Sequence, residues 1–153
     1  MPRLRLFAAT ALALLALAGC ARAISLPPAD EASDPGCAEV IVTLPESIGG
    51  EGGLEELERR TTTAQGTAAW GDPSAVTLRC GMPVPAPSTQ QCVSVGGVDW
   101  LQVAQEEGVF TFVSYGREPA TEVVIDTTIV TGATALDAVS GSVARTDQVG
   151  ACS

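Results

Sequence analysis

Hydrophobic and polar residues alternate over much of the second half of this chain. In the stretch Val76–Cys80, Val, Leu and Cys occupy every second position, with Thr and Arg between them, as in a strand with one buried face. Two valine-rich runs, residues 93–95 and 98–103, flank Gly96-Gly97, a two-residue signal for a β-hairpin. Further β-branched and aromatic runs follow at residues 109–115 and 122–128, after a turn at residues 106–108.

Helix signals lie on both sides of these strands. Asp34-Pro35 is typical of a helix start, with Asp as the N-cap and Pro at the first helical position. The following VIVTL fits a helical face or a strand, and ends before Pro45. The next segment, GGEGGLEELERR, is predicted to be a glycine-rich loop with one short acidic turn. Apolar residues at helical spacing predict a C-terminal helix from about Gly132 to Arg145.

These elements predict an α+β fold. We expect a small antiparallel sheet of four to five strands, with an N-terminal and a C-terminal helix packed on one of its faces. Residues 37–153 would form this single domain. Residues 20–36 mix Pro, Ala, Asp, Glu and Ser without an apolar period, and are predicted to be a flexible tether that spans about 50 Å when fully extended.

The first twenty residues have the pattern of an export signal. Two arginines precede the apolar run Leu6–Gly19, which is shorter than the roughly 20 residues that a membrane-spanning helix needs. The run ends in Leu17-Ala18-Gly19-Cys20, which resembles a bacterial lipobox. Residues 1–19 are therefore predicted to be a lipoprotein signal peptide, and Cys20 to carry the lipid that anchors the chain at the extracytoplasmic face of the cell membrane. Cleavage at a later A-R-A site, giving a secreted protein, is the alternative.

The charge of the chain excludes several partners. Its eight basic residues are all arginines, and it contains eighteen acidic residues and no histidine. Two arginines lie in the signal peptide, so six face eighteen acids in the remainder, a formal charge of −12. Such a surface repels nucleic acid and anionic headgroups, so we expect no nucleic-acid partner, and attachment to the membrane through the lipid alone.

Five cysteines divide into one and four. Cys20 would take the lipid, and the other four would form two disulfides in an oxidising compartment; they are Cys37, Cys80, Cys92 and Cys152. Their spacing leaves all three pairings open. A zinc site with four cysteine ligands is the competing interpretation, but the sequence lacks a C-x₂-C pair, and we expect no metal.

Four motifs together resemble a known family. AAWGDP, LRCGMPVP, VGGVDW and SYGREPATEVVI, in this order, look like the DUF3515 family of small exported actinobacterial proteins, over about Cys37 to Ile125. The resemblance implies a cell-envelope protein, usually a predicted lipoprotein, of unknown biochemical function, and it supplies no catalytic or binding residues. Some members keep counterparts of only Cys37 and Cys80, which implies the pairs Cys37–Cys80 and Cys92–Cys152.

Candidate contact residues come from the tryptophans and the rare arginines. We hypothesise that Arg79, Asp99 and Arg117 line one surface beside Trp100. The alternatives are structural. Arg79 would pair with an acid on a neighbouring strand, first of all Asp99, and Arg117 with Glu118 or Asp126. The stretch Trp70–Pro73 has the chemistry of a turn, with Trp70 packed on the sheet or, less simply, stacked on a ligand.

Catalytic groups are poorly supplied. Without histidine, Ser-His-Asp and Cys-His arrangements are impossible, and the glycine-rich loop at residues 49–53 lacks the Lys-Ser/Thr of a phosphate-binding loop. We therefore expect no enzyme and no cofactor, but a lipid-anchored binding or accessory module for an envelope protein or wall component. A structural lipoprotein without a ligand site and a carboxylate-dependent hydrolase are the alternatives. A pocket that joins Arg79, Trp100 and Arg117 would favour binding, whereas buried indoles and scattered arginines would favour a scaffold.

Overall fold

The computed structural model describes residues 22–50 and 55–152. The predicted signal peptide and Cys20 lie outside these residues. Two helices and ten strands follow one another in the order α1 Pro35–Thr43, β1 Ser47–Gly49, β2 Glu56–Arg60, β3 Thr67–Trp70, β4 Val76–Met82, β5 Cys92–Val95, β6 Val98–Glu106, β7 Val109–Tyr115, β8 Arg117–Glu118, β9 Ala120–Asp126, α2 Gly132–Val143 and β10 Asp147–Gln148.

The predicted fold class is wrong, because the sheet has more strands than expected and strands outweigh helices in the fold. The described residues are mostly β, with an eight-stranded antiparallel sheet that curls into a half-barrel, and two helices. The strand order is β1-β2-β3-β4-β9-β7-β6-β5, and β8 pairs with β10 in a separate two-stranded sheet. The prediction missed β1 to β3. In β2 only Leu57 is buried, so its sequence carries no alternation, and β3 is rich in alanine.

The predicted periodic elements are present. The hairpin β5–β6 turns at Gly96-Gly97, and β4, β7 and β9 occupy the other alternating runs. VIVTL is helical up to Thr43, and Asp34 caps α1 by accepting a hydrogen bond from the Gly36 N–H at 2.7 Å. The two helices pack against each other and against the inner face of the curled sheet, which places most of the core there.

Residues 22–34, most of the predicted tether, lie against the domain. The Ile24 N–H donates to the Thr61 carbonyl at 2.8 Å, and the Thr63 N–H donates to the Ile24 carbonyl at 3.0 Å. Further along, the Glu31 N–H donates to the Gly81 carbonyl at 3.1 Å, and Ala29 and Ala32 are buried. We call residues 22–34 the docked segment. No helix of the described residues is long and apolar enough to cross a bilayer.

Candidate functional site

Arg79 forms an ion pair within the sheet, and its partner is Glu122 rather than Asp99. Its Nε and Nη2 atoms lie 2.8 and 2.7 Å from the Glu122 Oε1 atom. The two residues are directly opposite each other on β4 and β9, and both side chains are largely buried. Asp99 lies on β6, and β9 and β7 separate that strand from β4. The Arg79 guanidinium group therefore stabilises the pairing of β4 with β9.

Asp99 ties the C-terminal tail to the sheet. It lies opposite Ser94, whose hydroxyl donates to Oδ1, and its Oδ2 accepts from the Cys152 N–H at 2.8 Å. The Ser94 hydroxyl, then the Cys152 N–H and more weakly the charge of Arg117, lower the pKa of Asp99 below its ordinary value, and partial burial opposes them. A carboxyl that is held ionised in this way does not suit a general acid.

Arg117 holds the end of α2. Its Nη1 atom donates to the carbonyls of Ala144 and Thr146, both at 3.0 Å, and its Nη2 atom donates to the Gly97 carbonyl at 3.4 Å. The predicted ion pairs with Glu118 and Asp126 do not occur. A cation at these carbonyls also complements the negative end of the helix dipole. Arg117 thus acts as a helix cap, and its charge helps to lower the pKa of Asp99.

Both tryptophans are core residues. Trp70 and Trp100 are 0% exposed. The Trp70 Nε1–H donates to the Pro45 carbonyl at 3.1 Å, and the Trp100 Nε1–H donates to the Ser140 hydroxyl at 3.2 Å. Neither indole ring offers a face for stacking on a ligand. The pocket joining Arg79, Trp100 and Arg117 that would favour binding is therefore not formed among the described residues.

The four described cysteines are joined in pairs. Cys37 of α1 is bonded to Cys80 of β4, and Cys92 of β5 to Cys152, with Cα atoms 5.4 and 6.6 Å apart. These are the pairs that the family resemblance implies. Cys92, Cys152 and Asp99 bring three potential metal-ligand atoms close together, but the disulfide removes both thiolates from that set. Four free thiolates for zinc are not present.

An open groove lies beside α1, where the sequence predicted no contact residues. We call it the α1 groove; its volume is about 580 Å³. One wall is the outer side of the helix, and the other is formed by the end of β2 and the turn before β3. Its lining includes Ala32 of the docked segment and Ala38, Ile41, Val42, Glu46, Arg59, Arg60, Thr61, Thr62, Gln65 and Thr67.

The walls of the α1 groove differ in chemistry. Val42 is 77% exposed, the largest value among the exposed large hydrophobic residues of the described chain. Arg59 reaches across from the opposite side, where its Nη2 atom donates to the Ile41 carbonyl at 3.0 Å and its Nη1 atom lies 3.9 Å from the Glu46 carboxylate. Thr61 and Gln65 are exposed and add a hydroxyl and an amide. An apolar wall that faces polar groups is the usual composition of a binding cleft.

The sequence carried a weak signal for this groove. VIVTL places Val42 on the outer side of a helix, where a polar residue is expected, but that stretch fits a strand equally well. The two arginines lie in the segment that was predicted to be a loop with an acidic turn. The wall that they form exists only because this segment pairs with β3.

One family model matches nearly the whole chain. It is described as a protein of unknown function (DUF3515) and matches residues 6–151, beyond the 37–125 region that carries the motif resemblance. The matched region contains every helix and strand of the residues that the structure describes. No curated protein and no solved structure matches the chain.

Proposed function

Because the chain belongs to the DUF3515 family, whose function is unknown, we propose from its own residues that it is a lipid-anchored binding module of the cell envelope. Its ligand would be another envelope protein or a wall component, and it would catalyse no reaction. The α1 groove carries this proposal, because it joins an exposed apolar residue, Val42, to polar and charged groups in one concave surface.

Location in the envelope is supported by the sequence. Cys20 follows an apolar run and a Leu-Ala-Gly motif, and two disulfides fit an oxidising compartment. In this proposal Cys20 carries the lipid at the extracytoplasmic face of the membrane. Release after ordinary signal cleavage is the alternative.

The anchor is tested by exchange of one cysteine. Cys20→Ala, or globomycin treatment of the wild type, should block processing by the lipoprotein signal peptidase and change membrane fractionation. Ser25→Ala is the matched control, since Ser25 is exposed and lies outside the lipobox. Unchanged processing and fractionation of Cys20→Ala would contradict the anchor.

Binding is tested by crosslinking on cells. A photoreactive residue placed at position 42 should give a discrete adduct with one envelope component. The same residue at position 149 is the control, because Val149 is another exposed valine and does not line the groove. Loss of the adduct with Gln65→Ala in the same chain would assign it to the groove. Equal adducts at both positions, or none at position 42, would contradict binding there.

A structural lipoprotein without a ligand site is the second candidate. It is favoured by the internal use of every predicted contact residue, since both indoles are buried and Arg79 and Arg117 are bonded within the domain. In that case the protein would matter through its fold and acidic surface. Substitution of Val42 by Ser would then leave the phenotype of cells unchanged, whereas removal of the whole protein would not.

A further inference from the structure

The docked segment leaves very little free chain between the proposed anchor and the folded domain. Ala21 alone separates Cys20 from Arg22, where the described residues begin. At Ile24 the backbone is already hydrogen-bonded to Thr61 and Thr63. Four residues span at most about 14 Å, so this part of the domain lies within that distance of the anchored cysteine.

The docked segment cannot lengthen this connection without losing its contacts. The Glu31 N–H bonds to the Gly81 carbonyl, and Ala29 and Ala32 are only 8% and 6% exposed. At Gly81 a side chain would collide with the backbone of Glu31 and Ala32. The docked segment and β4 are therefore in backbone contact at this glycine. The connection is therefore short in the folded protein.

The composition of this part of the chain suits a membrane surface. From Cys20 to Ala29 there is one arginine and no acidic residue, in a chain with eighteen acids after the signal peptide. Arg22, Ser25 and Pro27 are exposed. An exposed guanidinium group binds phosphate oxygens well, and short apolar side chains beside it tolerate the headgroup region.

We propose that residues 22–28 of the docked segment contact phospholipid headgroups, so that the domain rests on the bilayer instead of standing away from it on a tether. This departs from the expectation, drawn from the net charge, of attachment through the lipid alone, because these residues carry no acid. The inference rests on the proposed lipid anchor at Cys20. Arg22 is the residue that faces lipid phosphate. The α1 groove shares Arg60 with the cleft that contains Arg22, so a ligand of the groove must be reachable close to the membrane surface.

Fluorescence quenching in vesicles measures this arrangement. The lipidated full chain is reconstituted into phospholipid vesicles that contain a lipid with a nitroxide on its headgroup. A fluorescent noncanonical residue is placed at position 25 or at position 149, which avoids a sixth cysteine. Position 149 is hydrogen-bonded to Gly116, after β7, whereas Ser25 follows Ile24, which is bonded to Thr61 and Thr63 after β2. We expect strong quenching at position 25 and little at position 149.

A linker insertion tests directly whether the short connection to Cys20 holds position 25 at the membrane. About ten Gly and Ser residues between Ala21 and Arg22 add a root-mean-square reach of about 17 Å, and should abolish most of the quenching at position 25. The same insertion after Ser88, in an exposed loop, should leave it unchanged. Arg22→Gln should weaken the quenching, whereas Arg145→Gln, which removes an equally exposed arginine elsewhere, should not.

Vesicle flotation separates the two proposals. If the lipidated chain floats with the vesicles but quenching is equal at both positions, or survives the insertion at residue 21, the headgroup contact is overturned and the anchor stands. If mass spectrometry finds no lipid on Cys20 of the processed wild-type chain, the anchor fails, and the inference fails with it.

Discussion

At the scale of single residues, the charged side chains inside the sheet serve its stability. Arg79 and Glu122 have side-chain exposures of 26% and 14%, so each needs the other as a partner. A largely buried charge that loses its partner keeps the cost of leaving water without the gain of the hydrogen bonds. The pair is therefore expected to matter more than an ion pair on the surface.

Glu122→Ala should lower the free energy of unfolding by about 1.5–3 kcal/mol, because Arg79 stays largely buried without its acceptor. Urea denaturation at neutral pH measures it. Glu39→Ala is the control, since Glu39 is exposed on α1, and should change stability by less than about 0.5 kcal/mol. The double variant Arg79→Leu/Glu122→Leu should recover part of the loss. Equal effects of the two alanine variants would contradict the role of the pair.

Asp99 makes stability depend on pH in acid. Its pKa in the folded protein is lowered, chiefly by the Ser94 hydroxyl, so its contribution is complete above the unfolded pKa of about 3.9 and is lost as the pH falls through the folded pKa. Asp99→Asn keeps one acceptor and should be less stable than the wild type at pH 7. The difference should shrink below pH 4, which denaturation at both pH values measures. A difference independent of pH would contradict this assignment.

At the scale of elements, the docked segment depends on a glycine in β4. Gly81 lies at the irregularity between Cys80 and Met82 and has φ near +101°, which side chains disfavour. Its Cα faces the backbone of Glu31 and Ala32. One residue thus provides both the bend in the strand and the space for the segment.

Gly81→Ala should destabilise the domain by at least about 2 kcal/mol and release the docked segment, because strain at positive φ adds to a collision. Gly97→Ala is the matched control: φ is +79° there, but no atom lies near the added methyl group. It should cost only about 1–2 kcal/mol. Limited proteolysis between residues 22 and 34 should accelerate in the first variant alone. Protection of both variants would contradict the dependence on Gly81.

The elements that could be predicted are those whose burial pattern is periodic. β4 buries every second residue from Val76 to Cys80, and α1 starts at a capped proline, so local sequence suffices for both. β2 buries Leu57 alone, and its place is decided by pairing with β1 and β3. The partner of Arg79 could not be predicted either, because it follows from the order β4-β9, which no local pattern encodes.

The absence of a pocket joining Arg79, Trp100 and Arg117 among the described residues could not be predicted for the same reason, because local sequence does not encode which segments meet in the fold. Trp100 and Arg79 were predicted as contact residues because tryptophan and arginine are rare in this acidic chain. The rarity of a residue type does not distinguish a ligand contact from a core residue. The α1 groove forms where a helix, the end of β2 and the docked segment meet. Such a surface depends on three segments at once, so it becomes visible only in the folded chain.

At the scale of the whole molecule, the two disulfides differ in accessibility. Cys37 and Cys80 are 0% exposed in the core, whereas Cys92 and Cys152 are half-buried at the surface. Their closed loops, with sequence separations of 43 and 60, predict about 4 kcal/mol of stabilisation each. The two disulfides therefore stabilise the fold by similar amounts. They differ in how readily a reductant reaches their sulfur atoms.

Mild reduction of the native protein should open Cys92–Cys152 first, because thiol–disulfide exchange requires direct attack on sulfur. Alkylation followed by mass spectrometry should label Cys92 and Cys152 well before Cys37 and Cys80. In denaturant, where all four are exposed, both pairs should react at similar rates. Equal labelling of the four cysteines in the native state would contradict the difference in burial.

The order of the cysteines has a consequence for how the chain matures. The pairs Cys37–Cys80 and Cys92–Cys152 are consecutive and do not interleave. In the proposed export with the N-terminus first, and with Cys20 taken by the lipid, Cys80 is the first partner that Cys37 meets, and Cys152 follows Cys92. An oxidase that joins cysteines in order of arrival would produce the native pairs directly. In that order of arrival, the native disulfides form without a step of disulfide isomerisation.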